Sequence, residues 1–228
     1  MTSPKLIRVL LAEDHSIVRE GLRALLEVGD RFVIIGEACN GREAVQMTRT
    51  LVPDIILMDI SMPLLNGLEA TRQILLADPS AKVVILSAHS EDEYINRMNQ
   101  AGVAGFLEKQ TSAEILTKAL HEVALGRRFF SPSIAKRIQR TTAQLVDRNG
   151  LAKSHKLSLT TREAEVLQLV AEGSANKQIA NELGISVKTV EKHRNNLMKK
   201  LNIHETAGLT RHAIAAGVIE CKVELTIT

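Results

Sequence analysis

The chain has 228 residues, and its 45% hydrophobic and 24% charged content is typical of globular rather than disordered or fibrous proteins. No apolar run approaches the roughly 20 residues of a membrane helix, so we expect no membrane span. Cys39 and Cys221 lack metal-site spacing, which favours free thiols in the cytoplasm. The net charge of +3 combines 12 basic and 17 acidic residues in 1–126 with 17 basic and 9 acidic residues in 127–228. The basic second half favours a polyanionic partner.

The first half of the chain alternates continuous apolar runs with helical patterns. Unbroken runs of Val, Ile and Leu are typical of strands buried on both faces of a parallel sheet. Five β–α repeats predict a doubly wound α/β domain with a five-stranded parallel sheet over residues 6–125. The predicted strands are 6–12, 32–38, 54–59, 82–88 and 105–109.

Residues 126–156 are polar and basic and carry no strand signal, so we predict a linker with room for a short helix. Every later signal is helical, which predicts an all-α domain of four helices over residues 157–220. The second and third of these helices meet at a tight turn containing Gly184, as in a helix-turn-helix unit.

Charged and polar residues follow the predicted strands of the first domain. The carboxyl ends of parallel strands share one edge of a sheet, so these side chains are expected to converge. They are Glu13 and Asp14 after the first strand, Asp59 at the end of the third, Ser87 at the end of the fourth and Lys109 at the end of the fifth. Three carboxylates require a counter-charge, and all-oxygen ligands favour Mg²⁺.

The same set of residues predicts phosphoryl transfer onto a carboxylate. Asp59 is the expected acceptor, because the Glu13–Asp14 pair is placed to hold the metal. The Lys109 ammonium and the Ser87 hydroxyl suit phosphoryl oxygens. His15 is predicted to be a surface residue at a helix start rather than a metal ligand.

Four dispersed motifs, AEDH, DISMPLLNGLEA, SAH and FLEK, resemble those of the receiver domain of bacterial response regulators. The resemblance covers about residues 6–125 and implies a flavodoxin-like (CheY-like) fold and phosphorylation of Asp59 by a sensor histidine kinase. It further implies that Ser87 and Phe106 are coupled switch positions. The Mg²⁺ ligands it implies are Glu13, Asp14, Asp59 and the backbone carbonyl of Ser61. Gln110 stands where many receivers have proline, which leaves the isomer of the peptide after Lys109 open.

The third helix of the second domain, Val187 to Leu201, has an apolar side, expected to include Val187, and a basic side. With the helices around it, the stretch TTREAEVLQLVAEG…NKQIANELGISVKTVEKHRNNLMKKL resembles the output domain of the LuxR/NarL/FixJ family. Early residues of a recognition helix lie against base edges, so we expect base contacts from Glu191, Lys192 and Asn195. The expected phosphate contacts are Lys188, Thr189, Arg194 and Lys199. His193 fits either an inward or an outward position.

The sequence therefore predicts a cytoplasmic two-domain transcriptional response regulator that is not a turnover enzyme. Phosphorylation is expected to release the output domain, which forms a homodimer through its last helix and binds promoter DNA, with RNA polymerase a candidate partner. Two alternatives stay open. One is a Mg²⁺ phosphatase, although such enzymes usually have a second Asp where this chain has Ser61. The other is a DNA-binding regulator that needs no phosphorylation.

Overall fold

The computed structural model describes residues 6–29, 31–88, 92–147 and 159–219. The chain divides into two compact units, Met1–Lys153 and Ser154–Thr228. The predicted linker beyond Asp147 lies outside the described residues.

The first unit is built on a parallel sheet with strand order β2-β1-β3-β4-β5-β6. Its strands are β1 (Ile7–Ala12), β2 (Phe32–Ala38), β3 (Ile55–Asp59), β4 (Val83–Ser87), β5 (Gly105–Glu108) and β6 (Phe129–Phe130). Its helices are α1 (Ser16–Glu27), α2 (Gly41–Leu51), α3 (Gly67–Ala77), α4 (Asp92–Ala101), α5 (Ala113–Ala124) and α6 (Pro132–Asp147). The doubly wound α/β fold is thus confirmed.

Helices cover both faces of this sheet, which explains the unbroken apolar character of its strands. Every residue of β3 and β4 is buried. One face carries Leu10, Met58 and Phe106 in a single apolar cluster with side chains of α2, α3, α4 and α6. The opposite face carries Leu11 and Leu107 in a second cluster with α1 and α5.

Strand β6 and helix α6 are the main departure from the sequence prediction, which gave five strands and a linker here. Phe129 and Phe130 pair in parallel with Gly105 and Phe106 of β5. A Cβ atom on Gly105 would lie only 2.8 Å from the carbonyl oxygen of Phe129, so the glycine permits this close approach. A two-residue strand is too short to produce an alternating pattern, which is why the sequence prediction omitted it.

Helix α6 packs against the first unit rather than leaving it. Ile134 has no exposed surface and belongs to the same apolar cluster as Phe106. The Ser133 hydroxyl donates to Glu108 Oε2 over 2.8 Å, next to Lys109. Arg128 donates to the Val103 carbonyl over 3.1 Å. Residues of the 126–147 stretch therefore pack on the first unit, where the sequence predicted a linker.

The second unit contains α7 (Thr161–Ala171), α8 (Asn176–Leu183), α9 (Val187–Leu201) and α10 (Thr206–Ala215). Thr160 and Glu163 form a capping box at the start of α7. Lys200 of α9 reaches back to the buried Glu163 carboxylate over 2.6 Å and so joins the two helices. Gly184 ends α8 with φ of 63°, which provides the tight turn before α9. None of the helices that the structure describes combines the length and apolarity of a membrane span.

Candidate phosphoacceptor site and nucleic-acid interface

The carboxyl ends of β1, β3 and β5 bring three predicted site residues together. Lys109 Nζ lies 2.8 Å from Glu13 Oε2 and 3.0 Å from Asp59 Oδ2. The Ile60 N–H donates to the other Asp59 oxygen, Oδ1, over 2.8 Å. Glu13 and Asp59 are both buried, so the ammonium of Lys109 is shared between two carboxylates in a site with little water.

Asp14 and His15 complete the cluster on its exposed side. One ligand atom from each of Glu13, Asp14, His15 and Asp59 can be chosen so that all lie within 4.8 Å of one another. His15 Nδ1 is 2.9 Å from Asp14 Oδ1 and 3.2 Å from Glu13 Oε1. The His15 ring is exposed, as predicted. It nevertheless contacts the Glu13 and Asp14 carboxylates, although the sequence did not predict it as a metal ligand.

The loop after β3 fixes the backbone of Asp59. The Gly67 N–H donates to the Ile60 carbonyl over 2.8 Å. A Cβ atom on Gly67 would lie 1.8 Å from the Asp59 carbonyl oxygen, so only glycine fits. Asn66 caps α3 by accepting from the Glu69 N–H over 2.9 Å. The Asn66–Gly67 pair thus positions the backbone of Asp59 and of the loop that follows it.

The buried charges shift the pKa of both Asp59 and Lys109. Burial and the neighbouring Glu13 carboxylate raise the pKa of Asp59 from 3.8 to about 6, although Lys109 and the Ile60 N–H oppose the rise. Burial lowers the pKa of Lys109, but Asp59 and Glu13 outweigh it and the net pKa is raised. The metal-free site therefore holds one carboxylate that accepts a proton more readily than usual, beside an ammonium that loses its proton less readily than usual.

Asp59 links stability to pH in the metal-free protein. Its folded pKa of about 6 exceeds the usual 3.8, so the folded state binds this proton more tightly than the unfolded chain. The associated stability is present below about pH 4 and is lost as the pH rises through about 6. Asp59→Asn is therefore expected to stabilise the metal-free protein at about pH 7.5, by up to about 3 kcal/mol, because the rise of the Asp59 pKa to about 6 already includes the opposing effect of Lys109. Urea unfolding in EDTA measures this, and a destabilised Asn variant would contradict it.

The donor set fits a divalent cation. Three carboxylates and one ammonium leave two formal negative charges in the cluster. The oxygen donors suit Mg²⁺, which binds through few carboxylates and retains several waters. Ser61 follows β3 by two residues at the same sheet edge. Mg²⁺ has the charge that would offset the repulsion between Glu13, Asp14 and Asp59.

Ser87 and Phe106 lie on the neighbouring strands β4 and β5, where Phe106 pairs with Ile85, two residues before Ser87. Ser87 is buried at the end of β4, and its carbonyl accepts from the Lys109 N–H over 2.8 Å. Phe106 is fully buried in the cluster that includes Ile134. No cis peptide bond occurs among the described residues, so the Lys109–Gln110 peptide is trans.

In the second unit, the polar face of α9 forms a shallow open concavity. It is lined by Ser186, Lys188, Thr189, Glu191, Lys192, Asn195, Asn196 and Lys199. Six of the seven predicted DNA contacts line this concavity. Ser186 and Asn196 line it too, although neither was predicted as a DNA contact. The Ser186 side chain caps α9 by accepting from the Thr189 N–H over 3.1 Å.

Two residues of α9 have surroundings that the sequence did not predict. Val187, expected to pack inward, is 40% exposed. Arg194, predicted with the phosphate contacts, is half-buried, and its guanidinium donates to Asn176 over 3.1 Å and to Thr206. It is absent from the residues lining the concavity.

Each of the two units matches a known protein family. The response regulator receiver domain matches residues 9–121, and the luxR family of bacterial regulatory proteins matches residues 157–213. The transcriptional regulatory protein MctR of Rhizobium johnstonii is 37% identical over 96% of this chain and 98% of its own length. The chain belongs to the LuxR/NarL family of two-component response regulators.

Further relatives support the same family. The response regulator UvrY of Escherichia coli K12 is 36% identical over 93% of this chain and 96% of its own length. A solved LuxR-family response regulator from Aurantimonas sp. SI85-9A1 has a TM-score of 0.58 and 34% identity over 61% of this chain and 99% of that one. The RcsB–DNA complex has a TM-score of 0.57 and 25% identity over 91% of this chain and 98% of that one.

This LuxR/NarL-family protein is accordingly a transcriptional response regulator. It combines a receiver domain, which implies a histidine kinase partner, with a LuxR-type domain that binds DNA. The family consists of transcription regulators.

Proposed function

We propose that Asp59 accepts a phosphoryl group from a sensor histidine kinase in a Mg²⁺-dependent step that controls dimerisation and promoter binding. The observation that carries this proposal is the convergence on Lys109, whose ammonium lies within 3.0 Å of both Glu13 and Asp59. A buried carboxylate beside a fixed cation and further carboxylates suits transfer of an anionic group.

The residues of the chain have distinct roles in this transfer. The P–N bond of a phosphohistidine breaks as a bond from phosphorus to an Asp59 oxygen forms, and the imidazole leaves. Lys109 stabilises charge on the transferring oxygens, while the Ile60 N–H and Gly67 hold the acceptor in place. Burial and the Glu13 carboxylate raise the pKa of Asp59, and Mg²⁺ held by Glu13, Asp14, Asp59 and the Ser61 carbonyl would neutralise the negative charge among these carboxylates. The chain receives a phosphoryl group in this proposal and does not act as a turnover enzyme.

We propose that the phosphorylated acceptor is sensed by Ser87 and Phe106. The phosphoryl group adds about 1.5 to 2 negative charges to the strand edge, which Ser87 is positioned to meet with its hydroxyl. Phe106 lies two strand positions before Glu108 and packs with Ile134 of α6. A change in its packing would therefore reach α4 and α6.

The DNA contacts proposed for α9 follow from exposure and chemistry. Glu191, Lys192 and Asn195 are exposed and suit cytosine, guanine and adenine edges respectively. Lys188, Thr189 and Lys199 are proposed to bind phosphates. A structurally similar response regulator, RcsB, has been solved as a complex with DNA, which supports DNA binding by this chain.

We propose that the receiver function occupies residues 6–125 and that residues 157–220 form the DNA-binding domain. The packing of Ile134 in the apolar cluster of the first unit supports a linker shorter than the predicted 126–156. Homodimerisation on phosphorylation, contact with RNA polymerase and a cytoplasmic location complete the proposal, since promoter binding requires access to chromosomal DNA.

Replacement of Asp14 tests the role of the metal. Asp14→Ala is expected to reduce Mg²⁺-dependent phosphoryl incorporation by roughly 100-fold, because one charged metal ligand is lost while the acceptor remains. Incorporation from a small-molecule phosphodonor is measured at several Mg²⁺ concentrations. Asp78→Ala, which removes an exposed carboxylate from the first unit, serves as the control. Incorporation by Asp14→Ala at the wild-type Mg²⁺ dependence would refute the assignment.

A further inference from the structure

Arg194 connects three helices of the DNA-binding unit. From the middle of α9, its Nη1 donates to Asn176 Oδ1 over 3.1 Å, and its Nη2 donates to Thr206 Oγ1. Asn176 is the first residue of α8, and Thr206 is the first residue of α10. One guanidinium therefore holds the starts of two helices against the helix that reads DNA.

The surroundings of Arg194 differ from those of the exposed lysines on α9. Lys188, Lys192 and Lys199 are exposed and line the concavity. Arg194 is half-buried, and at least two of its N–H donors are engaged by neutral side-chain oxygens of the same unit. A phosphate contact at this position would have to compete with these hydrogen bonds or leave them intact and use the remaining donors.

The geometry suits a clamp that sets the rotation of α9. On its buried side, α9 is fixed by Val190, by Leu197 and by the ion pair between Lys200 and Glu163. Arg194 adds a separate tie to α8 and α10 through a planar fork whose two donors have fixed directions. Successive helix residues differ by roughly 100° around the axis, so a small rotation of α9 displaces every base-reading side chain together.

We propose that Arg194 is a positioning residue of the DNA-binding unit and not a phosphate contact. It holds α8 and α10 on α9 and so fixes how Glu191, Lys192 and Asn195 meet the base edges. The proposal rests on the proposed function of α9 as the recognition helix. It replaces the phosphate role that the sequence predicted for Arg194.

Salt dependence separates the two roles. Each phosphate contact that is lost makes the slope of log K against log salt shallower by about 0.9, whereas a lost clamp lowers affinity without changing the charge facing DNA. The probes are a duplex selected from a randomised library by the phosphodonor-treated wild-type chain and an unrelated mixed-sequence duplex. Arg194→Met is expected to weaken binding of the selected duplex roughly tenfold with an unchanged slope and to leave binding of the mixed duplex unchanged.

Three comparisons sharpen the test. Lys199→Met, a proposed phosphate contact, is expected to weaken both duplexes and to flatten the slope by about 0.9. Arg194→Lys keeps the charge but cannot bridge two helix starts, so it is expected to behave as Arg194→Met does. Thr206→Val removes the hydroxyl that Arg194 binds, so it is expected to weaken the selected duplex with an unchanged slope. Its effect should add little to that of Arg194→Met.

Several outcomes would overturn the proposal. A slope flattened by about 0.9 in Arg194→Met, with near-wild-type binding by Arg194→Lys, would make Arg194 a phosphate contact. Wild-type binding by both Arg194 variants would remove any role. If Arg194→Met fails to fold by circular dichroism, Thr206→Val carries the test alone, and its unchanged affinity would exclude the clamp. Failure of the wild-type chain to select any duplex would instead refute the proposed function of α9.

Discussion

Phosphoryl incorporation is expected to fall to background in Asp59→Asn, by more than roughly 100-fold. The amide keeps the volume of the side chain and an oxygen for the Ile60 N–H, so the site is preserved while the nucleophilic carboxylate is lost. The measurement is intact-protein mass spectrometry after incubation with a small-molecule phosphodonor and Mg²⁺. Its physical basis is the position of Asp59, buried beside Lys109 at the end of β3.

A matched control comes from the same unit. Asp78 follows α3 and is exposed, and its carboxylate accepts hydrogen bonds from Ser80. Asp78→Asn is therefore expected to be phosphorylated as the wild type is. The two variants change the charge equally, which removes net charge as an explanation. Wild-type incorporation by Asp59→Asn would mean that another carboxylate is the acceptor.

Ile134→Ala is expected to destabilise the first unit by about 2 to 5 kcal/mol. Ile134 has no exposed surface and packs in the cluster that contains Phe106, so its truncation leaves a cavity that the sheet cannot fill. Tyrosine fluorescence follows the unfolding of this unit selectively, because the chain has one tyrosine, Tyr94 in α4, and no tryptophan. Urea unfolding monitored in this way gives the change in the free energy of unfolding.

An exposed aliphatic residue provides the reference for that experiment. Leu76 in α3 is 74% exposed, so Leu76→Ala is expected to change the free energy of unfolding by less than about 0.5 kcal/mol. If Ile134→Ala behaved like Leu76→Ala, α6 would be a detached linker, as the sequence alone predicted. The difference between the two variants therefore decides where the receiver unit ends.

The candidate site residues could be predicted from the sequence because they lie at the carboxyl ends of strands. Continuous apolar runs locate the strands, and parallel order places Glu13, Asp59 and Lys109 at one edge without any knowledge of side-chain geometry. The resemblance to receiver domains added the expected role of the Ser61 carbonyl and the expected coupling of Ser87 to Phe106. What it did not give is the shared position of Lys109 between two buried carboxylates, which requires the sheet register.

The features that sequence reasoning missed depend on contacts between distant segments. Strand β6 has two residues and exists because Gly105 allows Phe129 to approach, and no local pattern records such a pairing. The basic residues of 126–147 led to the prediction of a linker, although Ile134 in this stretch is buried. Arg194 has the positive charge expected of a phosphate contact, and only its hydrogen bonds to Asn176 and Thr206 indicate another role.

The most direct test of the central claim is the DNA affinity of the full chain with and without a phosphodonor in Mg²⁺, measured on the selected duplex. We predict that phosphorylation raises the affinity by roughly 5- to 150-fold, the usual range of coupling between two sites, and that Asp59→Asn shows no response. Equal affinities of the phosphorylated and unphosphorylated wild-type chain would contradict the account, because the receiver would then not control the recognition helix.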